Sequence, residues 1–520
     1  MYSDKPHIHR LITALPAVGL RDVVVTAGSR NAPIVHDLHE AGYRLHPAID
    51  ERSAGFMAIG IHLAVHAPVA VCVTSGSALL ALLPAAAEAY YRGLPIVFVS
   101  ADRPAEWIDQ LDGQTLLQTD ALLPYAPTYT LDSSAATGLQ EALALLYREG
   151  GRPIHINVPI AEPLFRFVTP GLPSAAPLVI PRPKVCDAPL TEAWLRRFAA
   201  ATSPAVVIGH SDAADLRPAV ALLRQCPEVT VYADINSGVA DDGRYADFEA
   251  NCRQEVTHDI VLHVGGAFVG KYFKLALRAR AAADLLTVVR VDATEACPNT
   301  FAAADYHKLQ GSPAAALRQL STLWSPSAPA PFVPHYAPIG DGFARSLERL
   351  GRGLAALHAS GQPLALFLAN SRAPRVALNG NLLPREAFPI YLNRGVNGIE
   401  GVSSTTAGYA LASDDLTVLV TGDLSFFYDV NALWNDRLRG NLRILLLNDG
   451  RGGIFASLPG LADSPVGGDI VAGRHSAQAR GVAESYGCRY LSATGVASEA
   501  ALHALLTDDS TRPVLLEVLL

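Results

Sequence analysis

Two aspartates, Asp423 and Asp449, stand at similar corners of one stretch, "VLVTGDLSFFYDVNALWNDRLRGNLRILLLNDGRGGIF" (418–455). Each closes a short apolar run and each touches a glycine. Residues 416–421 have the composition of a buried strand. Ser425 suits the N-cap of a following helix, in which Phe426, Phe427, Val430, Leu433, Trp434 and Leu438 recur at helical spacing and Gly440 suits the C-terminal cap. Residues 443–447 form the next strand. A right-handed crossover makes the two strands parallel, so both carboxylates open on one side of a sheet. Carboxylates aimed at one point repel unless a cation lies between them, and a hard divalent ion such as Mg²⁺, which commonly shares phosphate oxygens, suits that place. Gly450, Gly452 and Gly453 let backbone N–H groups approach a phosphate, and the helix start after Asp423 favours an anion. The stretch therefore reads as a Mg²⁺–diphosphate cradle. The plainer alternative, ordinary turn and cap residues, fits one such corner better than two joined in this way.

Other residues offer chemistry with less context. Glu51, in "PAIDERSAGFMAIG", heads a helix of small residues and on its own reads as a solvated helix start. Arg30, Arg103, Arg375 and Arg394 follow apolar runs, and Lys271 follows "GGAFVG". Singly, each is an ordinary surface ion-pair partner. Together, in a chain of net charge −8, they suggest a pocket for a polyanionic substrate, because guanidinium groups bind carboxylates in a forked geometry. "GGAFVGKY" (265–272) nearly fits a phosphate-binding P-loop but ends in Tyr272, which lacks the small hydroxyl that would ligate Mg²⁺. His7, His9, His36, His39 and His46 have no ligand frame and read as surface residues.

These residues need elements to position them. Short Val/Ile/Leu runs ending in Gly, Ser, Asn or Asp recur throughout: "DVVVTAGSR", "VAVCVTSGS", "IVFVSADRP", then "AVVIGHS", "IVLHVGG", "VVRVDATE", then "LALFLANSR", "FPIYLNRG", "LTVLVTGD" and "RILLLND". Such strands alternating with helices predict parallel sheets covered on both faces, with ligands beyond the C-terminal strand ends. Two proline-rich stretches, "TPGLPSAAPLVIPRPK" and "SPSAPAPFVPHYAP", read as linkers. The expectation is α/β: three doubly wound parallel-sheet domains at 1–168, 185–324 and 340–520, the first and third being variants of one plan. Six cysteines are scattered singly, which gives neither a zinc frame nor a disulfide framework. No basic run favours nucleic acid, and no apolar run approaches the roughly 20 residues of a membrane helix. A cytoplasmic location is expected.

"GDLS" followed by "NDG" resembles the cofactor motif of the thiamine diphosphate-dependent enzymes, and GDLS is the variant typical of the menaquinone-pathway synthases. The resemblance spans nearly the whole chain and implies that family's fold: a pyrimidine-binding, a central and a diphosphate-binding domain. It implies thiamine diphosphate with Mg²⁺ (or Mn²⁺), the metal held by Asp423, Asp449 and the carbonyl of Arg451. Asp449 departs from the usual Asn. Its extra negative charge requires either that the side chain turn away or that nearby cations compensate. "DERxxGF" resembles the segment whose glutamate, here Glu51, activates the cofactor. Ser75, Gly76, Ile399, Leu424, Ser425, Gly452, Gly453 and Phe455 are implied to contact the cofactor, Ile399 propping its bent shape.

The same resemblance implies two substrates, 2-oxoglutarate and isochorismate, bound by Ser29, Arg30, Arg103, Gln114, Lys271, Ser371, Arg375 and Arg394. Glu51, Gln114, Arg30 and Arg394 are the residues implied in catalysis. The usual PGSR is AGSR here, with Ala27 in place of proline. The implied reaction decarboxylates 2-oxoglutarate and adds the succinyl carbanion equivalent to the ring alkene of isochorismate. Because Glu51 and the metal residues lie in different domains, the resemblance also implies a homodimer, or a dimer of dimers, with sites at the subunit interface. Alternatives are a 2-oxoacid decarboxylase or carboligase with another acceptor, a nucleotide hydrolase, and an inactive paralogue.

Overall fold

The computed structural model describes residues 1–520 except 132–137, 149–150, 174–177, 183, 212–215, 295–297, 329–330, 386, 456–457, 459 and 462. Parts of both proline-rich stretches and Cys297 therefore lie outside the described residues. After the short β1 (Tyr2–Ser3) come β2 (Asp22–Thr26), β3 (Arg44–Ala48), β4 (Val69–Val73), β5 (Ile96–Asp102), β6 (Thr128–Thr130) and β7 (Ile154–Pro159), followed by β8 (Phe167–Thr169). β2–β7 form a six-stranded sheet in the order β3-β2-β4-β5-β7-β6, every pair parallel, and β1 pairs antiparallel with β8. The second sheet holds β9 (Pro204–Ile208), β10 (Thr230–Ala233), β11 (Ile260–Val264), β12 (Thr287–Asp292) and β13 (Asp305–Gln310) in the order β10-β9-β11-β12-β13. The third holds β14 (Leu364–Leu368), β15 (Ile390–Tyr391), β16 (Leu416–Gly422), β17 (Leu442–Asn448), β18 (Arg489–Thr494) and β19 (Val514–Leu519) in the order β15-β14-β16-β17-β19-β18.

Counted within each sheet, the first and third have the same strand permutation. Their order reverses at β2/β4 and at β14/β16, the crevices where open parallel sheets take ligands. The two sheets also meet through equivalent helices. Glu51–Val65 follows β3 and Val402–Ala412 follows β15, the corresponding strand. The crossing is reciprocal: a Cβ on Gly60 would stand 1.8 Å from the Thr405 carbonyl oxygen, and one on Gly408 would stand 2.1 Å from that of Met57. Backbone lies on backbone in both directions. Around this crossing Phe56 and Phe98 of the first sheet share one apolar cluster with Phe367, Phe426 and Leu433 of the third. Tyr245, Phe268 and Phe273 of the middle unit share another with Leu366, Leu445 and Leu516.

The stretch after Asp423 differs from its expected form. The helix starts at Asp423 and ends at Tyr428, and Val430–Leu433 is only a 3₁₀ turn. The cause is Asp429. Its buried carboxylate accepts the backbone N–H and the hydroxyl of Ser404, both at 2.7 Å, so the chain bends to hold the first turn of Val402–Ala412. Ser425 is not an N-cap; its hydroxyl donates to the Ile399 carbonyl at 2.6 Å. Gly440 serves close approach, since a Cβ there would meet the Ser510 carbonyl oxygen at 1.7 Å. His7 and His9 also differ from expectation. Both are buried, and His9 Nε2 bonds the Ser3 carbonyl at 2.9 Å. The helix Pro6–Ala14 packs this face inward, so these rings are internal structure.

Two tests follow from this packing. Gly60→Ala should lower stability by about 1–3 kcal/mol, read from denaturant unfolding, because neither backbone can retreat from the added methyl. Asp429 provides a pH test. Burial raises its pKa from 3.8 to about 6 against the downward pull of the Ser404 hydrogen bonds. Its protonated form therefore favours the folded state, a contribution full below about pH 3.8 and lost as pH rises through about 6. Relative to Asp429→Asn, which does not titrate, the wild type should lose on the order of 2–3 kcal/mol over that interval. Parallel stability curves for the two proteins would contradict the assignment.

Candidate active site

The C-terminal ends of β14, β16 and β17 open into one cavity of about 380 Å³. Asn370, Ser371, Arg372 and Arg375 line it after β14, Gly422 to Ser425 after β16, and Asp449, Arg451, Gly452, Gly453 and Phe455 after β17. The loop after β15 adds Arg394, Asn397 and Ile399. Asp423 and Asp449 do face a common space, as parallel neighbouring strands require. Ser371 holds φ 82° and Asn397 φ 64°, positive values that cost a non-glycine residue free energy and recur at ligand sites.

Charge is concentrated here. Asp423 accepts the N–H groups of Leu424 (2.7 Å) and Arg451 (3.0 Å), and His475 Nε2 lies 3.4 Å from its Oδ2. Burial nevertheless raises its pKa. Burial also raises that of Asp449, and the neighbouring Asp423 charge pushes it further up. Arg372 offsets this in part, its Nη1 lying 3.6 Å from Asp449 Oδ2, while the same guanidinium pairs with Asp341 and lies over the Phe343 ring. A nearby cation of the kind expected for the unusual Asp449 is therefore present, though its compensation is partial. A Cβ on Gly453 would stand 2.3 Å from Asp449 Oδ2, so glycine is what admits the carboxylate. Arg375 and Arg394 are desolvated, which lowers their pKa values.

The first sheet carries a second constellation at its own strand ends. Ser29 and Arg30 follow β2, Glu51 heads the helix after β3, Ser75 and Gly76 follow β4, and Arg103 follows β5. Arg30 is buried; it donates to the Ile160 carbonyl at 2.9 Å and faces Glu162 at 3.2 Å. Arg103 donates to the Gly113 carbonyl at 2.8 Å, holding the turn that carries Gln114, whose φ is 57°. Glu51 is half-buried, and burial followed by the charge of Asp50 raises its pKa. None of these residues lines the cavity of the third sheet. Lys271 is not in the cavity lining; it is exposed at the head of the helix Tyr272–Ala282, three residues beyond Phe268, whose carbonyl receives Arg394.

Several residues act here that the motifs did not single out. Arg372 is one, lying three positions before the Arg375 that the substrate argument selected. Asn370 is another: its side-chain amide donates to the carbonyls of Asn393 (2.6 Å) and Gly398 (2.7 Å) and accepts from Arg394 at 3.3 Å. Gln118 accepts the Gly76 N–H at 2.7 Å and donates to Ser100, Ala101 and Asn157. None of the three belongs to a motif; only Asn370, just past β14, stands at a strand end with an amide side chain. The P-loop alternative is overturned by Glu249. That carboxylate accepts the N–H groups of Lys271 (2.8 Å), Tyr272 (3.1 Å) and Phe273 (2.8 Å), occupying the place a phosphate would take.

Comparison with known proteins agrees with this geometry. Residues 8–122 match the family described as thiamine pyrophosphate enzyme, N-terminal TPP binding domain. The 2-succinyl-5-enolpyruvyl-6-hydroxy-3-cyclohexene-1-carboxylate synthase of Phocaeicola vulgatus is 35% identical, covering 100% of this chain and 96% of its own. The Bacteroides fragilis protein of the same name is 37% identical, covering 94% and 91%. Among solved structures, the Rhodococcus jostii RHA1 thiamine diphosphate-dependent 4-hydroxybenzoylformate decarboxylase superposes with a TM-score of 0.71 at 18% identity, covering 98% of each chain. With a cofactor-sized cavity at the strand ends and full-length relatives of one name, the chain belongs to the 2-succinyl-5-enolpyruvyl-6-hydroxy-3-cyclohexene-1-carboxylate synthases, thiamine diphosphate-dependent transferases of menaquinone biosynthesis.

Proposed function

We propose that this protein, with Mg²⁺ or Mn²⁺ and thiamine diphosphate, decarboxylates 2-oxoglutarate and joins the remaining four-carbon unit to isochorismate. One observation carries the reading: two carboxylates at adjacent strand ends, Asp423 buried and Asp449 partly buried, share a cavity with Arg372, Arg375 and Arg394. The cavity fits the cofactor's charged end. Raised carboxylate pKa values mean that a divalent cation beside Asp423 and Asp449 would be favoured, and Gly453, in the cavity lining, lets a diphosphate approach the backbone closely, the Gly452 N–H being held by the Ala472 carbonyl. Asp423, Asp449 and the Arg451 carbonyl would hold the metal, with Leu424, Ser425 and Phe455 beside the cofactor. Bound there, thiamine diphosphate supplies the electron sink for loss of carbon dioxide and for carbon–carbon bond formation.

The chain's own groups do the rest. Arg375 and Arg394 present guanidinium groups for substrate carboxylates, with Ser371 beside them. Desolvation strengthens each such contact and keeps water from the reacting centre. Arg30, Arg103 and Gln114 offer the same chemistry on the first sheet, and Lys271 adds a cation from the middle unit. Glu51, with its raised pKa, is suited to holding a proton against the cofactor's pyrimidine ring. Because the first-sheet constellation and the third-sheet cavity are separate within one chain, the complete site requires a second copy. Leu111 and Leu117 of the first unit and Ile470 of the third are largely exposed and suit that contact. The protein is then a homodimer or a dimer of dimers. Among the described residues no helix is long and apolar enough to cross a membrane, which agrees with a cytoplasmic enzyme.

The test is isochorismate consumption in the presence of thiamine diphosphate, Mg²⁺ and 2-oxoglutarate. Carbon dioxide release that ignores isochorismate would instead indicate another acceptor. Glu51→Gln should abolish turnover and keep the fold, and Asp423→Ala should weaken Mg²⁺-dependent cofactor binding. Mixed dimers of these two inactive variants should recover turnover, since one of the two sites is then intact; a site built within one chain recovers none. Arg372→Ala should weaken cofactor binding about tenfold, the loss of roughly 1.4 kcal/mol of charge compensation. Asp449→Asn in the same background should restore much of that affinity, read by titration of intrinsic fluorescence.

A further inference from the structure

Glu88 is a carboxylate in an expensive place. It lies on the helix Leu83–Arg92 of the first unit and is 1% exposed. Its Oε1 accepts the N–H of Gly395 at 3.0 Å and its Oε2 that of Val396 at 2.9 Å, across 307 and 308 residues of sequence. Those two amides belong to the loop of the third unit that carries Arg394 and Ile399, both at the cavity. The ends of the loop are held locally: Asn370 binds the Asn393 and Gly398 carbonyls, and Ser425 binds that of Ile399. Its middle is held by Glu88.

The chemistry of the contact is specific. Two successive N–H groups need two acceptor oxygens, which a carboxylate has and an amide lacks. Burial of the charge is costly and raises the Glu88 pKa, an effect the nearby Arg92 and the two N–H groups oppose. An apolar residue of the same shape would spare that cost but leave both N–H groups without an acceptor. Gly395 is fitted to the same contact, because a Cβ there would stand 2.7 Å from the Glu88 carbonyl oxygen and 2.8 Å from its Oε2. On the far side, the Arg394 guanidinium bonds Asn370 and the Phe268 carbonyl. The loop backbone is thus set from the first unit while its arginine is aimed from the other two.

We propose that Glu88 is a positioning residue, fixing from the first unit the backbone of the loop that presents Arg394 and Ile399 to the cavity. The roles of those two residues rest on the function proposed above; the grip on the loop does not. Glu88→Gln keeps the shape and replaces one acceptor with a donor. In the ligand-free protein, hydrogen exchange across 394–397 should accelerate about tenfold or more while distant segments are unchanged. With thiamine diphosphate and Mg²⁺, the KM for 2-oxoglutarate should rise about tenfold with kcat altered less than about threefold, the pattern of lost binding contacts. Arg394→Lys should mask this, the double variant having the KM of Arg394→Lys alone. Should Glu88→Gln fail to fold, Gly395→Ala tests the contact from its other side with the same expected results. Unchanged exchange at 394–397, or KM effects that add in the double variant, would overturn the proposal. Absence of 2-oxoglutarate turnover in the wild type would instead remove the functional reading, leaving the exchange experiment to judge Glu88.

Discussion

Holding Asp423 and Asp449 charged in one cavity is the constraint to which the rest of the molecule answers. A buried carboxylate loses hydration that a few N–H groups replace only in part, and a second negative charge beside it adds repulsion. The polypeptide supplies partial compensation through Arg372, His475 and the amides of Leu424 and Arg451. What remains is a pair of carboxylates whose charge the polypeptide offsets only in part, and this remaining negative charge is what the proposed divalent cation would answer. Parallel strands are the economical way to build it. They bring two strand ends to one edge with no intervening strand and turn backbone amides of the following segments onto Asp423.

The first and third units repeat one strand permutation, and this repetition explains how the two halves of the site are oriented. Equivalent helices, Glu51–Val65 and Val402–Ala412, cross with their glycines against one another's carbonyls. Such a crossing tolerates little slippage, because a Cβ on either glycine would meet backbone rather than a side chain that can turn away. It therefore fixes where Glu51 stands relative to the helix Asp423–Tyr428. Arg52 bonds the Tyr428 carbonyl and Asp50 accepts from Asn431, so the head of the Glu51 helix meets the far end of the Asp423 helix rather than its start. Within one chain the glutamate is thus directed away from the Asp423 corner. This separation within one chain is what the homodimer of the proposed function rests on.

How much of this was legible beforehand depended on how local the cause was. Strands β14, β16 and β17 were readable because a continuous apolar run has few other uses, and their parallel pairing followed from the crossover rule. Asp423 and Asp449 were readable because acidic residues beside glycine at such ends are spaced by the unit itself. The helix expected from Ser425 to Gly440 was not, because it is broken by Asp429 for the sake of Ser404, a partner that no local pattern announces. His7 and His9 were misjudged for the same reason: their burial depends on Ser3 and on the β1–β8 pairing far along the chain. Arg372 and Arg375 share a helix and a residue type, and only three dimensions reveal which one faces Asp449. Glu88, Asn370 and Gln118 have no motif at all. Each acts on the backbone of another loop, and backbone targets leave no trace in side-chain patterns.

The middle unit shows the same principle from the other direction. Its "GGAFVGKY" segment has the glycines and the helix start of an anion site, and the structure does put an anion there, but one from its own chain. Glu249 saturates three N–H groups at the head of Tyr272–Ala282. Asp234 takes those of Val269 and Gly270 and the hydroxyl of Tyr245. A turn filled in this way cannot bind phosphate, yet it becomes rigid, and rigidity is what its outer side uses. The Phe268 carbonyl, one residue before the amides that Asp234 holds, receives the Arg394 guanidinium. An internal carboxylate thus converts a ligand-binding turn into a fixed support. The middle unit thereby takes part in aiming an arginine at a cavity that it does not itself line.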